Sequence, residues 1–337
     1  MLALYKILFS CTLILGTLMA ISSYSWLSIW VGLEINLLSI IPLLINYKNS
    51  YPSEAAMKYF ITQALASMLL LMSVILSMNL NESLPMDSFK SLIMILDSSL
   101  FIKMGAAPFH AWFPEVIEGI NWTNSMILLT WQKLAPMVIL MYNINLPLFL
   151  SWIVLFSSII GGIYGMNQTS LRKILAYSSI NHVGWMLSSM LNMNSVWFIY
   201  FLIYSIISAN LIIIFWFFKI YFTKQLYLIF SAHKINGFTF ALNFLSLGGL
   251  PPFLGFLPKW ITVNFLVYSE FYWMTIILIM STLITLFFYI RLTFSAMMIS
   301  QSEMILYPNT LNNPSIFILN SISLMGLVTS TMILNIF

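Results

Sequence analysis

Apolar runs of about 20 residues follow one another along the chain, separated by short polar connectors such as Asn81-Glu82-Ser83 and Tyr307-Pro308-Asn309. A run of that length is what an α-helix needs to cross a bilayer. The rule predicts about eleven membrane helices. They fall at roughly 3–21, 24–46, 55–79, 89–119, 122–143, 148–167, 172–191, 195–220, 237–269, 273–298 and 314–336. Two of these runs, 89–119 and 237–269, are longer than one span requires, and each is predicted to be interrupted.

The first interruption is predicted in FIKMGAAPFHAWFPE, residues 101–115. A proline inside a helix removes a backbone hydrogen bond and clashes with the preceding turn, so the helix breaks near Gly105–Pro108. The pattern returns at 249–259 as GLPPFLGFLPK, where Pro251 and Pro252 follow Gly249. Gly105 to Pro108 is three residues, as is Gly249 to Pro252, and each proline is followed by a phenylalanine. Pro108 to Pro114 and Pro252 to Pro258 are both six residues. Interrupted helices in matching positions are the mark of transporters built from repeats. Five spans separate the two, and an odd offset reverses direction through the membrane. The expected fold is an all-α polytopic membrane protein: one transmembrane domain over 1–337, with inverted five-helix repeats at about 3–143 and 148–298 and an extra helix at about 314–336.

Composition agrees with this pattern. Hydrophobic residues make up 61% of the 337 and charged residues 7%, where a soluble domain carries about 25% charge. This leaves no room for a water-soluble catalytic domain. The net charge of +4 is spread thinly and points to no nucleic-acid partner. The one cysteine, Cys11, allows no internal disulfide or cysteine metal cluster. The first run has Lys6 at its basic end but no small-residue cleavage site, so it is expected to be an uncleaved span. Placing the cations on the predicted topology puts Lys6, Lys48, Lys58, Arg172, Lys173, Lys219, Lys224, Lys234 and Arg291 at one side and Lys90 at the other. Nine against one is a positive-inside bias, with the N-terminus inside and the C-terminus outside.

Three cations, Lys103, Lys133 and Lys259, fall inside spans. A charge at the bilayer centre costs about 2.5–3.5 kcal/mol even on insertion scales, so each needs a reason. Glu34 lies at the midpoint of the second span and His182 at that of the seventh. Burial disfavours the charged forms of lysine and carboxylate alike. A row in the order Glu34, Lys103, Lys133, His182, Lys259 can therefore hand protons on. The alternative is static: Glu34 and Lys103 form a buried ion pair that fixes packing, and His182 is a hydrogen-bonded core residue. His110, just past the first break, either lines the same cavity or caps the break. Asp97 is either a proton exit group or an interfacial residue. Glu115, Glu118, His233 and Glu303 read as solvated or subunit-contacting. No metal-ligand spacing, phosphate loop, dinucleotide fingerprint or haem-ligand pair is present.

Five stretches in order, WVGLEIN, FIKMGAAPFHAWFPEV, LTWQKLAP, SLRKILAYSSINHVGW and GGLPPFLGFLPKW, resemble the antiporter-like membrane subunits of NADH:ubiquinone oxidoreductase, respiratory complex I. The resemblance is to the short animal form, which lacks three N-terminal helices of bacterial relatives, and it weakens after about residue 295. It implies a proton-pumping, non-redox subunit of the mitochondrial inner membrane, made inside the organelle, with its N-terminus on the matrix side and its C-terminus on the intermembrane side. It assigns the family's conserved glutamate to Glu34 and its paired lysine to Lys103. Its central lysine falls on Lys133, its terminal lysine on Lys259 and its axial histidine on His182. It also implies lipid and other membrane-arm subunits as partners, with no soluble small-molecule substrate bound on this chain. NADH, FMN, iron–sulfur clusters and ubiquinone are expected in partner subunits, leaving no cofactor here. Related readings are a stand-alone Na⁺ or K⁺/proton antiporter and a structural membrane spacer.

Overall fold

The structure is a computed structural model and describes residues 4–45, 49–80, 86–191, 193–226 and 234–297, with residue 321. Apart from residue 321, the expected span at 314–336 lies outside the described residues, as do His233 and Glu303. Two compact units divide the chain, Met1–Ser157 and Ser158–Phe337.

In the first unit, α1 (Leu4–Ser22), α2 (Trp26–Leu44) and α3 (Ser50–Leu80) are long and apolar. Ser25 begins α2 as an N-cap, its hydroxyl accepting from the Ser28 N–H. The interrupted span comes next, as α4 (Met86–Met104) and α5 (Trp112–Gly119). The run at 122–143, predicted to be continuous, is itself divided into α6 (Trp122–Leu129) and α7 (Trp131–Met141). The Thr130 hydroxyl donates to the Met126 carbonyl at 2.7 Å. Such a bond competes with the helix ladder and bends it. The division falls three residues before Lys133.

α8 (Pro147–Gly165) crosses the boundary between the units. The second unit is assembled around α9 (Leu171–Met190), 17 of whose 20 residues are buried. A helix buried on all sides must find partners for its polar groups within the protein. The hydroxyls of Ser178, Ser179, Ser188 and Ser189 each donate to the carbonyl three residues back. α10 (Asn194–Phe218) follows, then α11 (Lys234–Gly248) and α12 (Phe256–Tyr268), the halves of the second interrupted span, and α13 (Tyr272–Met297). Among the described residues the only β pairing is an isolated bridge between Ser170 and Phe222, tying the start of α9 to the chain beyond α10.

Among the described residues, six helices are long and apolar enough to cross a membrane: those beginning at Leu4, Trp26, Ser50, Pro147, Asn194 and Tyr272. Their outward faces carry large apolar side chains, among them Leu65, Met72, Trp152, Leu202 and Leu283. The chain is an all-helical, multi-pass membrane protein.

Candidate functional site

The two interrupted spans break in the same way, and the glycines set the break. Gly105 has φ 73° and Gly249 φ 81°, the left-handed conformation that a residue with a Cβ adopts only at a cost. The Gly105 N–H donates to the Ile102 carbonyl at 3.2 Å and the Ala106 N–H to Phe101 at 3.0 Å. The Gly249 N–H donates to the Ser246 carbonyl at 3.0 Å and the Leu250 N–H to Leu245 at 3.4 Å. Both are Schellman ends, in which the residue after the last helical one turns left-handed and its successor reaches back five residues. The break is therefore complete before Pro108, Pro251 or Pro252, and the expectation that proline breaks the helix is corrected. The prolines lie in the loop beyond, with the Ala107–Pro108 peptide cis.

The two breaks differ in what caps them. At the first, the Trp112 indole N–H donates to the Ile102 carbonyl at 3.1 Å. At the second, the Lys259 ammonium folds back from α12 and donates to the Gly248 carbonyl at 2.8 Å. The lysine stem lies across Gly249, where a Cβ would stand 2.8 Å from Cδ and 3.0 Å from Nζ. Gly255 supports this arrangement, since a Cβ there would collide with the Ser246 carbonyl oxygen.

Lys103 occupies the last turn of α4. Lys103 and Lys259 flank their prolines on opposite sides in sequence, yet Lys103 stands in the last turn of α4 and the Lys259 ammonium reaches the C-terminal end of α11. Lysines are favoured there, because the unsatisfied carbonyls give that end a partial negative charge. Lys103, Lys133 and Lys259 are 7%, 1% and 8% exposed, so all three are interior.

In the first unit, Lys103 borders a cavity of about 10 Å³ lined also by Asn36, Tyr59, Gln63 and Gln132. That is room for about one water, with several polar groups to hold it. Gln132 Nε2 donates to Asn36 Oδ1 at 2.8 Å, and the Tyr59 hydroxyl donates to Gln132 Oε1 at 3.4 Å. Lys133 follows Gln132, and its ammonium is 5.1 Å from the centre of the Phe113 ring. The same ring packs on the first break, 3.2 Å from where a Gly105 Cβ would be. Phe113 thus stands between the break and Lys133.

The static Glu34–Lys103 ion pair does not form. Ion pairs within 4 Å form instead at the surface, where Lys58 meets Glu54 and Glu115. Glu34 is half-buried, while Asn36, two residues on, lines the cavity in its place.

In the second unit, His182 Nδ1 is hydrogen-bonded to the Tyr200 hydroxyl at 3.0 Å. The Tyr204 ring lies 5.1 Å from the imidazole. Tyr200 and Tyr204 share one face of α10, being four residues apart. The three side chains border a cavity of about 10 Å³ closed by Ser246, Gly255 and Pro258. Lys259 is next in the chain, with its ammonium 6.0 Å from the centre of the Trp185 ring, one turn beyond His182 on α9. The fold therefore gathers His182, Lys259 and the second break.

His110 is half-buried and bonds locally, Nδ1 to the Pro108 carbonyl at 3.2 Å. Asp97 is buried and accepts from Asn143 Nδ2 at 3.1 Å. Glu115 is exposed beside Lys58 at 2.9 Å. Sequence reasoning missed Asn36, Tyr59, Gln132, Tyr200, Tyr204 and Gly255. The available signal was a polar residue within an apolar run, as with Asn36 in WVGLEIN. No group of three or more potential metal ligands occurs among the described residues.

The sequence model of the transmembrane region of NADH:quinone oxidoreductase and Mrp antiporters matches residues 23–285, a stretch that holds both breaks and all five central charged or ionisable residues. The chain belongs to the NADH:quinone oxidoreductase/Mrp antiporter family. Within the family it is 48% identical over 332 residues to the NADH-ubiquinone oxidoreductase chain 2 of Anopheles gambiae, covering 97% of each chain. To the chain 2 of Aedes aegypti it is 47% identical over 331 residues, again covering 97% of each. A chain of the solved respiratory complex I of Thermus thermophilus shares the fold with a TM-score of 0.86 at 22% identity. The match covers 97% of this chain and 79% of that one. The resemblance of the five sequence stretches to this family is borne out.

Proposed function

We propose that the chain is a non-redox, proton-translocating membrane-arm subunit of an NADH:ubiquinone oxidoreductase in the mitochondrial inner membrane. In this reading its buried groups take up and release protons as partner subunits pass electrons from NADH to ubiquinone. NADH, FMN, iron–sulfur clusters and ubiquinone belong to those partners. The repeats, about 3–143 and 148–298, run in opposite directions with the N-terminus on the matrix side, in a set of about eleven spans.

The observation that carries the reading is the Lys259 ammonium held on the carbonyl end of a broken helix, 2.8 Å from the Gly248 oxygen. Burial of a central charge costs about 2.5–3.5 kcal/mol. A helix end returns up to about 2 kcal/mol in a buried geometry. With the two terms so close, a neighbouring charge or water can decide whether the lysine holds its proton. Lys103, in the last turn of α4, meets the same burial cost beside the first break. Lys133 sits against the Phe113 ring, and Asn36, Gln132 and Tyr59 can hold a water beside Lys103. His182, paired with Tyr200, takes the axial position in the second unit. The proposed relay order is Glu34, Lys103, Lys133, His182, Lys259.

The test is Lys133→Ala in the assembled enzyme. Proton pumping per NADH oxidised should fall several-fold while assembly stays near native. Undiminished pumping at full assembly would remove Lys133 from the path.

A further inference from the structure

Asp97 is not part of the relay just described, although it is one of the most enclosed carboxylates of the first unit, 5% exposed on α4. A carboxyl group in that position needs polar partners. One of its oxygens accepts from Asn143 Nδ2 at 3.1 Å, which leaves the other to carry a proton. Asn143 Oδ1 in turn accepts from Asn145 Nδ2 at 2.8 Å, and Asn145 is at the surface. Two hydrogen bonds therefore lead from the interior of α4 to the turn between α7 and α8.

The Asn143–Asn145 end of that short chain borders a cavity of about 80 Å³, which is lined also by Trp26, Ser73, Ser77 and Leu96, the residue before Asp97. A water needs about 10–15 Å³ measured this way, plus polar partners, so the cavity accommodates several. It lies where α2 and α4 begin and where α3 and α7 end. These ends alternate as antiparallel spans require, so they share one side of the membrane. By the cation tally it is the side bearing Lys90 alone.

We propose that Asp97 is the proton-release group of the first unit, discharging into this cavity on the cation-poor side. The O–H bond of the protonated carboxyl breaks and a water that enters past Asn143 from the cavity takes the proton. The resulting carboxylate is held by Asn143 until a proton arriving from the interior lysines restores it. Asn143 and Asn145 keep the passage polar; an amide side chain does not itself need to titrate. The inference rests on the proton-translocating reading above.

The test uses the assembled enzyme in sealed membranes, with protons pumped per NADH oxidised as the readout and Lys133→Ala as the control. Asp97→Asn preserves the shape and the hydrogen bond but cannot release a proton, and pumping should fall several-fold. Asp97→Glu restores a titratable group beside a roomy cavity, and pumping should return close to native. Normal pumping in Asp97→Asn alongside a deficit in Lys133→Ala overturns the proposal and leaves the broader reading standing. A deficit that Asp97→Glu does not relieve also overturns it, since Asp97 is then a packing residue. If neither Lys133→Ala nor Asp97→Asn lowers pumping, the broader reading fails. If Asp97→Asn does not assemble, Ser77→Leu decides the matter by filling the cavity without touching the carboxyl. A several-fold loss supports release through this cavity, and unchanged pumping overturns it.

Discussion

Lys259 has two jobs that a substitution can separate. Its ammonium caps the buried Gly248 carbonyl, and its proton is the proposed cargo. Glutamine keeps a donor for the carbonyl but has no proton to pass on. Lys259→Gln should therefore assemble near the native level while pumping falls several-fold. Lys259→Ala removes the donor as well, and an unsatisfied buried carbonyl costs about 1–3 kcal/mol. It should lower assembly in addition to pumping, as measured by the amount of intact complex on a native gel. Equal assembly of the two variants would show that the cap contributes nothing to stability. The first break makes the contrast plain, because there a neutral indole, Trp112, caps the corresponding helix end. The backbone device repeats and the charge does not.

At the scale of the element, the glycine stops the helix and the proline comes later. An alanine at a left-handed position costs roughly 1–2 kcal/mol, and at Gly249 its Cβ would also stand 2.8 Å from Lys259 Cδ. Gly249→Ala should therefore lower assembly and displace Lys259 from the Gly248 carbonyl, slowing turnover. Pro252→Ala should leave the break in place, because neither Schellman hydrogen bond involves that residue. Limited change in assembly and turnover for Pro252→Ala, beside a clear loss for Gly249→Ala, is the expected pattern. A straightened helix in Pro252→Ala would reverse the assignment. The division at Thr130 belongs to the same scale. A threonine hydroxyl returned to the carbonyl four residues back distorts α6–α7 immediately before Gln132 and Lys133.

For the molecule as a whole, polarity is inverted relative to a soluble protein. Large apolar side chains cover the outside of each unit, while lysines, a histidine, asparagines and tyrosines occupy the interior. Such an exterior is stable only in lipid or against other apolar chains. Native membranes dissolved in mild detergent and run on a non-denaturing gel should show the chain wholly within a large band that oxidises NADH. Migration alone, or in a small band without that activity, would favour ion–proton exchange independent of electron transfer.

Much of this was legible in the sequence. Apolar runs of about 20 residues and a 7% charge content leave few options besides a bundle of membrane helices. The repeated Gly-x-x-Pro-Phe spacing placed both breaks, because a left-handed glycine and a following proline act locally on the backbone. A charge in an apolar run singles itself out through its insertion cost, so Lys103, Lys133, His182 and Lys259 needed no structure to be found. Which groups meet was not local information. Glu34 and Lys103 have the right charges for an ion pair, yet Asn36 lines the cavity, because helix rotation decides which residue faces inward. The return of Lys259 to the Gly248 carbonyl depends on the loop between α11 and α12 and on the bare face of Gly255 against Ser246. Tyr200 beside His182, and Asn143 beside Asp97, are meetings of separate helices. The sequence by itself determined the helices, their breaks and the presence of charge, since each follows from neighbours along the backbone. Only the tertiary structure decided the partners, because these depend on packing between segments far apart in the chain.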